Sequence, residues 1–353
     1  MKNLQIVFED MERVYNRNVD WEKLYGKTVL ITGAYGMLAS YAVYMLIYLN
    51  EYKTDNYINI IALGRSENRA REKFNDYFEK EYFHFIQDDM TNIDKLDIKF
   101  DYVIHAASFA SPQHYAETPV DVTIPNILGS YKLLELAKKN DISSFLFISS
   151  GEVYGNIQKE EVKENEFGTS DPLDIRYCYG ESKRMAECLC NCYYKQYGVP
   201  IKIVRLGHTY GPTVNITNDQ RVFSEFSANV ARKENIIIKS SGNAKRAFCY
   251  AADAVAAFYI VLLRGENGEA YNIANKKGLI SIKDLAEILV RLYPEDDLTV
   301  EYKMRTSEST YIESRQLIHS VPSTEKLEKL GWECEYSIED GFRRTIDSLR
   351  LNL

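Results

Sequence analysis

Tyr179 and Lys183 are the two side chains of this sequence that are best suited to proton transfer. They are four residues apart within a helical pattern near 176–197, so a helix places both on one face. A nearby ammonium lowers the pKa of a phenol from its ordinary value of about 10 toward working pH, which makes Tyr179 a usable acid or base. Ser150 follows a short apolar run at 145–149, at the strand end where open parallel sheets bind ligands. The pair alone also fits a solvent-exposed helix face, so the surrounding elements must decide between the two interpretations.

A glycine-rich turn lies much earlier in the chain, between a β-branched run at 27–32 and a helical pattern near 36–50. Gly33 permits a tight turn there, and Gly36 lets the backbone approach a pyrophosphate. The N-terminus of the following helix offers free N–H groups to the phosphates. An ordinary strand-to-helix turn also fits the pattern, but its place at the first strand of an alternating chain favours a dinucleotide-binding loop. The expected cofactor contacts in this loop are Gly33, Tyr35, Gly36, Met37 and Leu38.

The end of the second strand candidate bears on the type of dinucleotide. It lacks the acidic side chain that would bind a ribose 2′-hydroxyl, and Arg65 is suited to a 2′-phosphate instead. Arg69 and Arg71 either join Arg65 or lie on a solvated helix face. The sequence therefore favours NADP over NAD as the cofactor. Contacts to the adenine are expected after the third strand candidate, at Asp89 and Met90.

These residues need a scaffold that brings distant segments together, and the hydrophobic pattern predicts one. Short apolar runs alternate with longer amphipathic stretches, which is typical of a parallel sheet covered by helices on both faces. The strand candidates are 27–32, 58–63, 83–86, 102–105, 145–149 and 201–205, and the helical patterns lie near 36–50, 66–81, 119–139 and 176–197. The expected fold is α/β, a Rossmann-like doubly wound parallel sheet with a smaller C-terminal α/β substrate lobe.

The alternation of strands and helices breaks after about residue 206. A helix near 221–233 and short strands near 236–239 and 246–250 indicate the smaller lobe. We therefore divide the chain into three parts. They are an N-terminal extension at 1–26, a dinucleotide-binding domain at 27–206 to which later segments at about 251–275 return, and a mainly substrate-binding lobe at 207–353.

Composition limits the class of partner. The chain has 353 residues, of which 45% are hydrophobic, enough for a large core. Lys and Arg total 43 against 51 Asp and Glu, and the formal net charge of −8 disfavours a nucleic-acid partner. The apolar runs fall short of the roughly 20 residues that span a bilayer, and no signal-peptide pattern is expected. The six cysteines lack the spacing of a zinc site and suit a reducing cytoplasm, which is the expected location.

Together these motifs resemble an extended short-chain dehydrogenase/reductase of the nucleotide-sugar epimerase/dehydratase family. The resemblance is carried by Thr32-Gly33-x-x-Gly36, by Ser150 and by Tyr179-x-x-x-Lys183, and it runs from about residue 27 to 351. Further stretches are similar to UDP-glucuronate decarboxylases and dTDP-glucose 4,6-dehydratases in particular: 106–112, 126–129, 178–183, 205–212, 245–248 and 330–332. The ordered motifs are specific for the superfamily but do not name a substrate.

The resemblance implies hydride chemistry on a sugar or sugar alcohol linked to a nucleoside diphosphate, with a tightly bound NAD or NADP recycled in each turnover. Tyr179 would remove a hydroxyl proton, Ser150 would hold the same oxygen, and Lys183 would hydrogen-bond the nicotinamide ribose. The further cofactor contacts are Ala106, Ala107 and Ser108, and the substrate contacts are Ser111, His208, Arg221 and Arg246. Either of these two arginines also fits a surface salt bridge. The family further implies a homodimer that packs through the helix of Tyr179 and the helix near 119–139.

Two departures from the family pattern bear on the reaction. Where the dehydratases carry an acid pair after the catalytic Ser or Thr, this chain has Gly151 and Glu152. Elimination of water needs both a base and an acid, and Gly151 supplies no acid. His208 stands where the family usually has Asn. It either fills the structural role of that Asn or faces the substrate as a neutral donor or titrating group.

The missing acid at Gly151 favours an epimerase, which needs only Tyr179, Ser150 and the cofactor, over a dehydratase, in which Glu152 would serve as the catalytic base. A decarboxylase and a simple ketoreductase stay open. A non-catalytic dinucleotide-binding sensor or scaffold is the alternative from a different class, and its signature would be the loss of Tyr179, Lys183 or Ser150. All three residues are present.

Overall fold

The computed structural model describes residues 4–108, 112–214, 216, 219, 221–303, 321–351 and 353. Ser111, for which a substrate contact is expected, lies outside the described residues. Among the helices of the described ranges, none is long and apolar enough to cross a membrane.

The described strands form one large sheet and three small ones. In chain order the strands are β1 (Thr28–Thr32), β2 (Asn59–Gly64), β3 (Phe83–Gln87), β4 (Tyr102–His105), β5 (Ser144–Ser150), β6 (Glu161–Val162), β7 (Ile201–Leu206), β8 (His208–Tyr210), β9 (Ile236–Ile238), β10 (Lys245–Tyr250), β11 (Glu269–Ile273), β12 (Leu279–Ser281), β13 (Val300–Tyr302) and β14 (Val321–Pro322). The large sheet has seven parallel strands in the order β3-β2-β1-β4-β5-β7-β11. This arrangement confirms the predicted Rossmann-like fold.

Helices cover the large sheet and build most of the smaller lobe. In chain order they are α1 (Gln5–Tyr15), α2 (Met37–Tyr52), α3 (Glu67–Phe74), α4 (Pro112–Glu117), α5 (Pro119–Ile124), α6 (Ser130–Asn140), α7 (Cys178–Tyr197), α8 (Val222–Ala231), α9 (Ala251–Arg264), α10 (Ile282–Arg291), α11 (Glu325–Glu328) and α12 (Ile338–Arg350). A π-helical turn at Pro125–Gly129 joins α5 to α6.

Burial explains why the strands of the large sheet are apolar throughout rather than alternating. In β5, every residue from Ser144 to Ser149 is buried, because helices lie on both faces of a parallel sheet. Helices α2 and α9 are themselves buried on nearly all sides, since α1 packs across both of them. The segment that precedes the first strand therefore contributes to the core: Val7, Met11 and Val14 of α1 are buried.

Asp10 joins this N-terminal segment to distant parts of the chain. Its carboxylate is fully buried and accepts hydrogen bonds from the hydroxyls of Tyr41, Tyr250 and Tyr336 at 2.6, 2.6 and 2.9 Å. The guanidinium of Arg344 on α12 donates to the same carboxylate at 2.7 Å. One side chain of α1 thus contacts α2, β10, the segment before α12, and α12 itself.

The smaller lobe contains a sheet of its own. In the three-stranded sheet β12-β10-β8, β10 and β8 run parallel, and His208 is opposite Phe248. Helices α8, α10 and α12 pack on one another over this lobe. After α9 the chain returns to the large sheet and adds β11 beside β7.

Candidate active site

Ser150 is the last residue of β5, and the chain turns there into a short 3-10 helix at Gly151–Tyr154. Its side chain caps that helix, because Oγ accepts a hydrogen bond from the backbone N–H of Glu152 at 3.2 Å. The hydroxyl is therefore held at the carboxyl edge of the parallel sheet, which is the edge where such sheets bind ligands.

Tyr179 lies in the first turn of α7, and only 6% of its surface is exposed. Its ring is stacked on the ring of Tyr115, with an angle of 10° between the planes. Burial raises the pKa of Tyr179 to about 12, although a hydrogen bond with Ser150 acts against that rise. The phenol is therefore protonated at neutral pH. It can act as a base only when additional positive charge or ligand contacts lower its pKa.

Lys183 lies one turn after Tyr179 on the same face of α7. The side chain is buried, and Nζ donates a hydrogen bond to the carbonyl oxygen of Ile148 at 2.8 Å. Nζ also lies 6.0 Å from the centroid of the Tyr179 ring. Burial lowers the pKa of Lys183 to about 7, while the carboxylate of Glu187 acts against this shift. The structure thus brings Tyr179, Lys183 and the end of β5 together.

Arg176 is a residue of this site that the sequence reasoning missed. Its Nη1 and Nη2 atoms each lie 3.3 Å from one oxygen of the Glu152 carboxylate, so the ion pair is bidentate. Both side chains are partly exposed, at 40% for Arg176 and 39% for Glu152. The guanidinium also lies 5.7 Å from the centroid of the Tyr115 ring. The available signal was an arginine three residues before Tyr179, on the 3-10 turn Ile175–Tyr177 that leads into α7.

The glycine-rich turn has the geometry that a dinucleotide loop needs. Gly33 has a φ of +65°, and a Cβ at this position would lie 2.8 Å from the Cα of Ala107. Glycine is therefore required both by the backbone conformation and by the close approach. The hydroxyl of Thr32 accepts hydrogen bonds from the backbone N–H groups of Ala106 and Ala107, at 3.2 Å each. Gly36 then precedes the first turn of α2.

The polar groups around this turn fit a bound dinucleotide. The Oγ atom of Ser108 is buried and close enough to the phenol of Tyr179 to lower its pKa, although the two groups do not form a hydrogen bond of ordinary geometry. Together with the glycine turn and the N-terminus of α2, it forms a surface that nucleotide phosphates and ribose can occupy. The residues predicted to contact the cofactor are therefore suited to it.

Arg65 follows β2 directly and is exposed, while Asp89 follows β3, the neighbouring strand of the sheet. Burial acts to raise the pKa of Asp89. Hydrogen bonds from Thr91 and the positive charge of Arg65 outweigh it, so the pKa lies below its ordinary value. Met90, the next predicted contact, packs against Gly129. Arg65 and Asp89 thus share the edge of the sheet where the adenosine half of a dinucleotide is expected.

The two arginines downstream of Arg65 have different surroundings. Arg69 lies over the ring of Tyr35, with 4.8 Å between the guanidinium carbon and the ring centroid. Arg71 instead forms an ion pair with Glu67 one turn earlier on α3, at 2.7 Å. The surroundings of Arg71 therefore fit the second alternative, a position on a solvated helix face. Arg69 lies beside the expected cofactor loop, because it contacts the ring of Tyr35 in that loop.

His208, Arg221 and Arg246 come together although they lie on different elements. His208 is on β8, Arg246 is on β10, and Arg221 directly precedes α8. Solvent reaches the surface of His208, but surrounding protein atoms desolvate the imidazole. This desolvation, together with the positive charges of Arg246 and Arg221, lowers its pKa to about 3, so His208 is neutral at pH 7. The charge of Arg221 also lowers the pKa of Tyr179, so this cluster lies near the phenol.

Each of these arginines also has a protein partner. Arg221 forms a bidentate ion pair with Asp219, with 2.6 Å between Nη2 and Oδ2. Arg246 donates from Nη1 to the carbonyl oxygen of Lys245 at 2.7 Å. A guanidinium group has five donors, and the contacts of Arg221 with Asp219 use only some of them.

Comparison with known proteins identifies the family of the chain. The profile of the NAD dependent epimerase/dehydratase family matches residues 29–274. UDP-glucuronic acid decarboxylase 6 of Arabidopsis thaliana is 32% identical over 92% of this chain and 89% of its own length. The dTDP-D-glucose 4,6-dehydratase of Mus musculus is 28% identical over 93% of this chain and 90% of its own length.

Solved structures show the same fold. A UDP-glucose 4-epimerase from Thermotoga maritima with UDP-glucose is 24% identical, with a TM-score of 0.78 over 92% of this chain and 99% of its own. A UDP-glucuronic acid 4-epimerase from Bacillus cereus, in complex with UDP-glucuronic acid and NAD, is 22% identical with a TM-score of 0.77, over 92% and 100%. The resemblance inferred from the motifs is confirmed: the chain belongs to the NAD-dependent epimerase/dehydratase family of enzymes that act on nucleotide sugars.

Proposed function

We propose that this protein is a nucleotide-sugar epimerase, which oxidises one carbinol of a sugar or sugar alcohol linked to a nucleoside diphosphate and reduces the ketone again from the other face. The observation that carries this proposal is the ion pair between Glu152 and Arg176. Dehydration needs a free base and an acid at this position. Here the carboxylate beside Ser150 is occupied by a guanidinium, and Gly151 supplies no acid. Inversion at one carbon needs neither group.

The side chains of the site have different roles in the proton transfer. Tyr179 accepts the hydroxyl proton of the substrate at its phenolic oxygen and returns it in the second half of the cycle. Ser150 holds the same substrate oxygen by a hydrogen bond, and Lys183 supplies positive charge beside the phenol. The bound dinucleotide supplies the hydride acceptor and donor. Because hydride is returned within one turnover, no external reductant is consumed.

The cluster of His208, Arg221 and Arg246 is the proposed site for the diphosphate. Two guanidinium groups near a neutral imidazole offer charged and neutral donors to phosphate oxygens. The overall charge of −8 makes the long-range field unfavourable for an anionic ligand, so this local cluster must supply the attraction. Ser111 is proposed as a further substrate contact.

The finer expectations on cofactor, assembly and location are part of the same proposal. The exposed Arg65 at the end of β2 supports NADP rather than NAD. An exposed apolar surface on α5, the π-helical turn, α6 and α7 supports a homodimer, and its members are Val120, Ile124, Leu128, Tyr131 and Met185. Free cysteines at positions such as Cys188 and Cys192 support a reducing cytoplasm.

Product analysis tests the proposed reaction. The purified protein is incubated with a panel of nucleotide sugars and nucleotide-linked polyols, and each product is read by mass and by proton NMR. We expect an unchanged mass with inverted stereochemistry at one carbon. A product that has lost water would identify a dehydratase. Stoichiometric consumption of added NAD(P)H would identify a ketoreductase, and a complete lack of turnover with dinucleotide bound would favour a sensor or scaffold.

Decarboxylation of a nucleotide-linked uronic acid is the second candidate. Arg176 favours it, because a partly exposed guanidinium near Tyr115, the ring that stacks on Tyr179, is suited to bind a sugar carboxylate. The similarity to plant UDP-glucuronic acid decarboxylases supports the same substrate class. A ketone two carbons from a carboxylate accepts the electron pair as carbon dioxide leaves, so this reaction also needs no acid at Gly151. Release of carbon dioxide from UDP-glucuronic acid would identify it.

A further inference from the structure

Glu187 connects three elements directly behind the catalytic residues. It follows Lys183 by four residues and Tyr179 by eight, so all three lie on one face of α7. Its carboxylate is buried in a bidentate ion pair with Arg205 of β7, with 2.7 Å between Oε2 and Nη2. The same carboxylate accepts a hydrogen bond from the hydroxyl of Ser149 at 2.5 Å. It therefore contacts the strand that ends at the catalytic serine.

The position of Glu187 is fixed by a second layer of contacts. Arg205 uses its remaining donors on the hydroxyl of Tyr154, at 3.1 Å, and on the carbonyl oxygen of Glu164, at 2.8 Å. Tyr154 in turn donates to the side chain of Asn272 on β11 at 2.6 Å. With its partners held in this way, the carboxylate has a defined place relative to Lys183.

Several titratable groups face Lys183 from the elements around it. His105 on β4 is buried and neutral, because burial, together with the charge of Lys183, lowers its pKa to about 3. Burial raises the pKa of the Cys190 thiol, which is therefore neutral at pH 7. Tyr179 is also protonated at that pH. Of these groups in the described part of the chain, Glu187 is the one that supplies negative charge.

We propose that Glu187 is a positioning residue for catalysis: its buried carboxylate keeps Lys183 charged and thereby sets the pH range in which Tyr179 exchanges a proton with the substrate. The inference rests on the proposed role of Lys183, but it concerns a side chain that touches neither substrate nor cofactor.

The direction of the effect follows from burial and charge. Burial brings the pKa of Lys183 down to about 7, close to working pH, so a small change in its surroundings decides whether the side chain is an ammonium. The ammonium is the form that favours ionisation of the neighbouring phenol. Loss of the Glu187 charge removes the contribution that opposes the effect of burial on the pKa of Lys183. The neutral amine then dominates at a lower pH.

The test measures Lys183 directly in the protein with its native dinucleotide content and without turnover. Lysine labelled with ¹³C at Cε is incorporated, and the Cε signal of Lys183 is assigned from its loss in Lys183→Arg. The apparent pKa is read from the chemical shift over a pH titration. In Glu187→Gln we expect this apparent pKa to fall by about one pH unit or more. The control Glu164→Gln removes the same charge nearby, and we expect no shift there.

Two further variants separate this role from a merely structural one. Glu187→Asp keeps the charge and should keep the titration near that of the wild type. If Glu187→Gln does not fold because Arg205 is left unpaired, the double variant Glu187→Gln with Arg205→Met removes both buried charges. It should lower the titration in the same direction but by less, because the positive charge of Arg205 is lost as well. An unchanged Lys183 titration in either folded variant overturns the inference.

The alkaline limb of the activity profile gives a second readout. In Glu187→Gln it should move to lower pH by the same amount as the Lys183 titration. A loss of activity without that displacement would assign Glu187 a structural role only. Failure of the proposed function is distinguishable, because it would leave the panel of nucleotide sugars unreacted while the NMR titration still reports on Lys183.

Discussion

The phenol ring of Tyr179 lies parallel to the ring of Tyr115, with 5.1 Å between the ring centroids. The two rings come from α7 and α4, and with Val122 they form a small apolar cluster separate from the main core. A stacked neighbour restricts rotation of the phenol about its side-chain bonds. Tyr115 therefore helps to hold the phenolic oxygen, the proposed proton acceptor, in one orientation relative to Ser150 and Lys183.

Replacement of Tyr115 tests this orientation. In Tyr115→Leu we expect kcat to fall by about 10- to 100-fold, because a small displacement of a reacting group is costly. The KM for the nucleotide sugar should change much less. Tyr115→Phe keeps the stacked ring and should keep most of the activity. Steady-state kinetics make the comparison, with Tyr302→Leu, at an exposed position on β13, as the control. A wild-type kcat in Tyr115→Leu would show that the stack does not position the phenol.

Replacement of Tyr179 itself separates chemistry from binding. Tyr179→Phe removes the hydroxyl that exchanges the proton, so turnover should be abolished while the dinucleotide stays bound. Bound cofactor is measured by absorbance after denaturation of the purified protein, and turnover by product analysis. Tyr177→Phe, two residues earlier on the partly exposed 3-10 turn, is the matched control and should stay active. Full activity of Tyr179→Phe would refute the assigned role.

The order of strands and helices was predictable because parallel strands are buried on both faces. The apolar run at 102–105 coincides with β4, and the run at 201–205 differs from β7 by one residue. The helix predicted near 119–139 is less regular. Pro125 has no N–H to donate, and the chain forms a π-helical turn there before α6 begins.

The parts of the site that local pattern could not predict depend on contacts between distant residues. Arg176 pairs with Glu152 only because two 3-10 turns, one after β5 and one before α7, face each other. Asp10 likewise meets Tyr250, Tyr336 and Arg344, which come from the far end of the sequence. Spacing along one element predicts pairs such as Tyr179 and Lys183. It contains no information on pairs across elements.

Replacement of Arg65 tests the proposed preference for NADP over NAD. The guanidinium of Arg65 is exposed at the end of β2, where a 2′-phosphate would lie. In Arg65→Ala we expect the affinity for NADP to fall roughly tenfold or more, while the affinity for NAD changes little. Equilibrium binding of both dinucleotides to protein stripped of its native cofactor makes the measurement. Arg71→Ala, whose side chain is paired with Glu67, is the control. Tighter binding of NAD than of NADP by the wild-type protein would contradict the preference.

Replacement of Gly151 tests the argument that the site lacks an acid for dehydration. A Cβ at this position would have the carbonyl oxygen of Leu206 as its nearest neighbour, at 3.4 Å, so a side chain can be accommodated without backbone strain. Gly151→Asp should therefore fold like the wild type. It places an acid beside Glu152, and the additional change Arg176→Gln frees the Glu152 carboxylate to act as the base. In this double variant we expect a product that has lost water to become detectable by mass spectrometry. Gly151→Asn with Arg176→Gln has a similar size without the acid and should give none. Equal amounts of this product in both variants would contradict the argument.

Replacement of Asp20 tests whether its ion pair with Arg264 stabilises the contact between the N-terminal segment and α9. Hydrogen bonds from Arg264 and Lys23 lower the pKa of Asp20 from 3.8 to about 2. A lowered pKa means that the carboxylate stabilises the folded state above about pH 4 and that this contribution disappears as the pH falls toward 2. Asp20→Asn should therefore lower the free energy of unfolding by roughly 1 kcal/mol at pH 7, and by progressively less below pH 4. Urea midpoints at several pH values provide the measurement, with Glu22→Gln as the control. A deficit that stays constant down to pH 3 would show that the ion pair is not its cause.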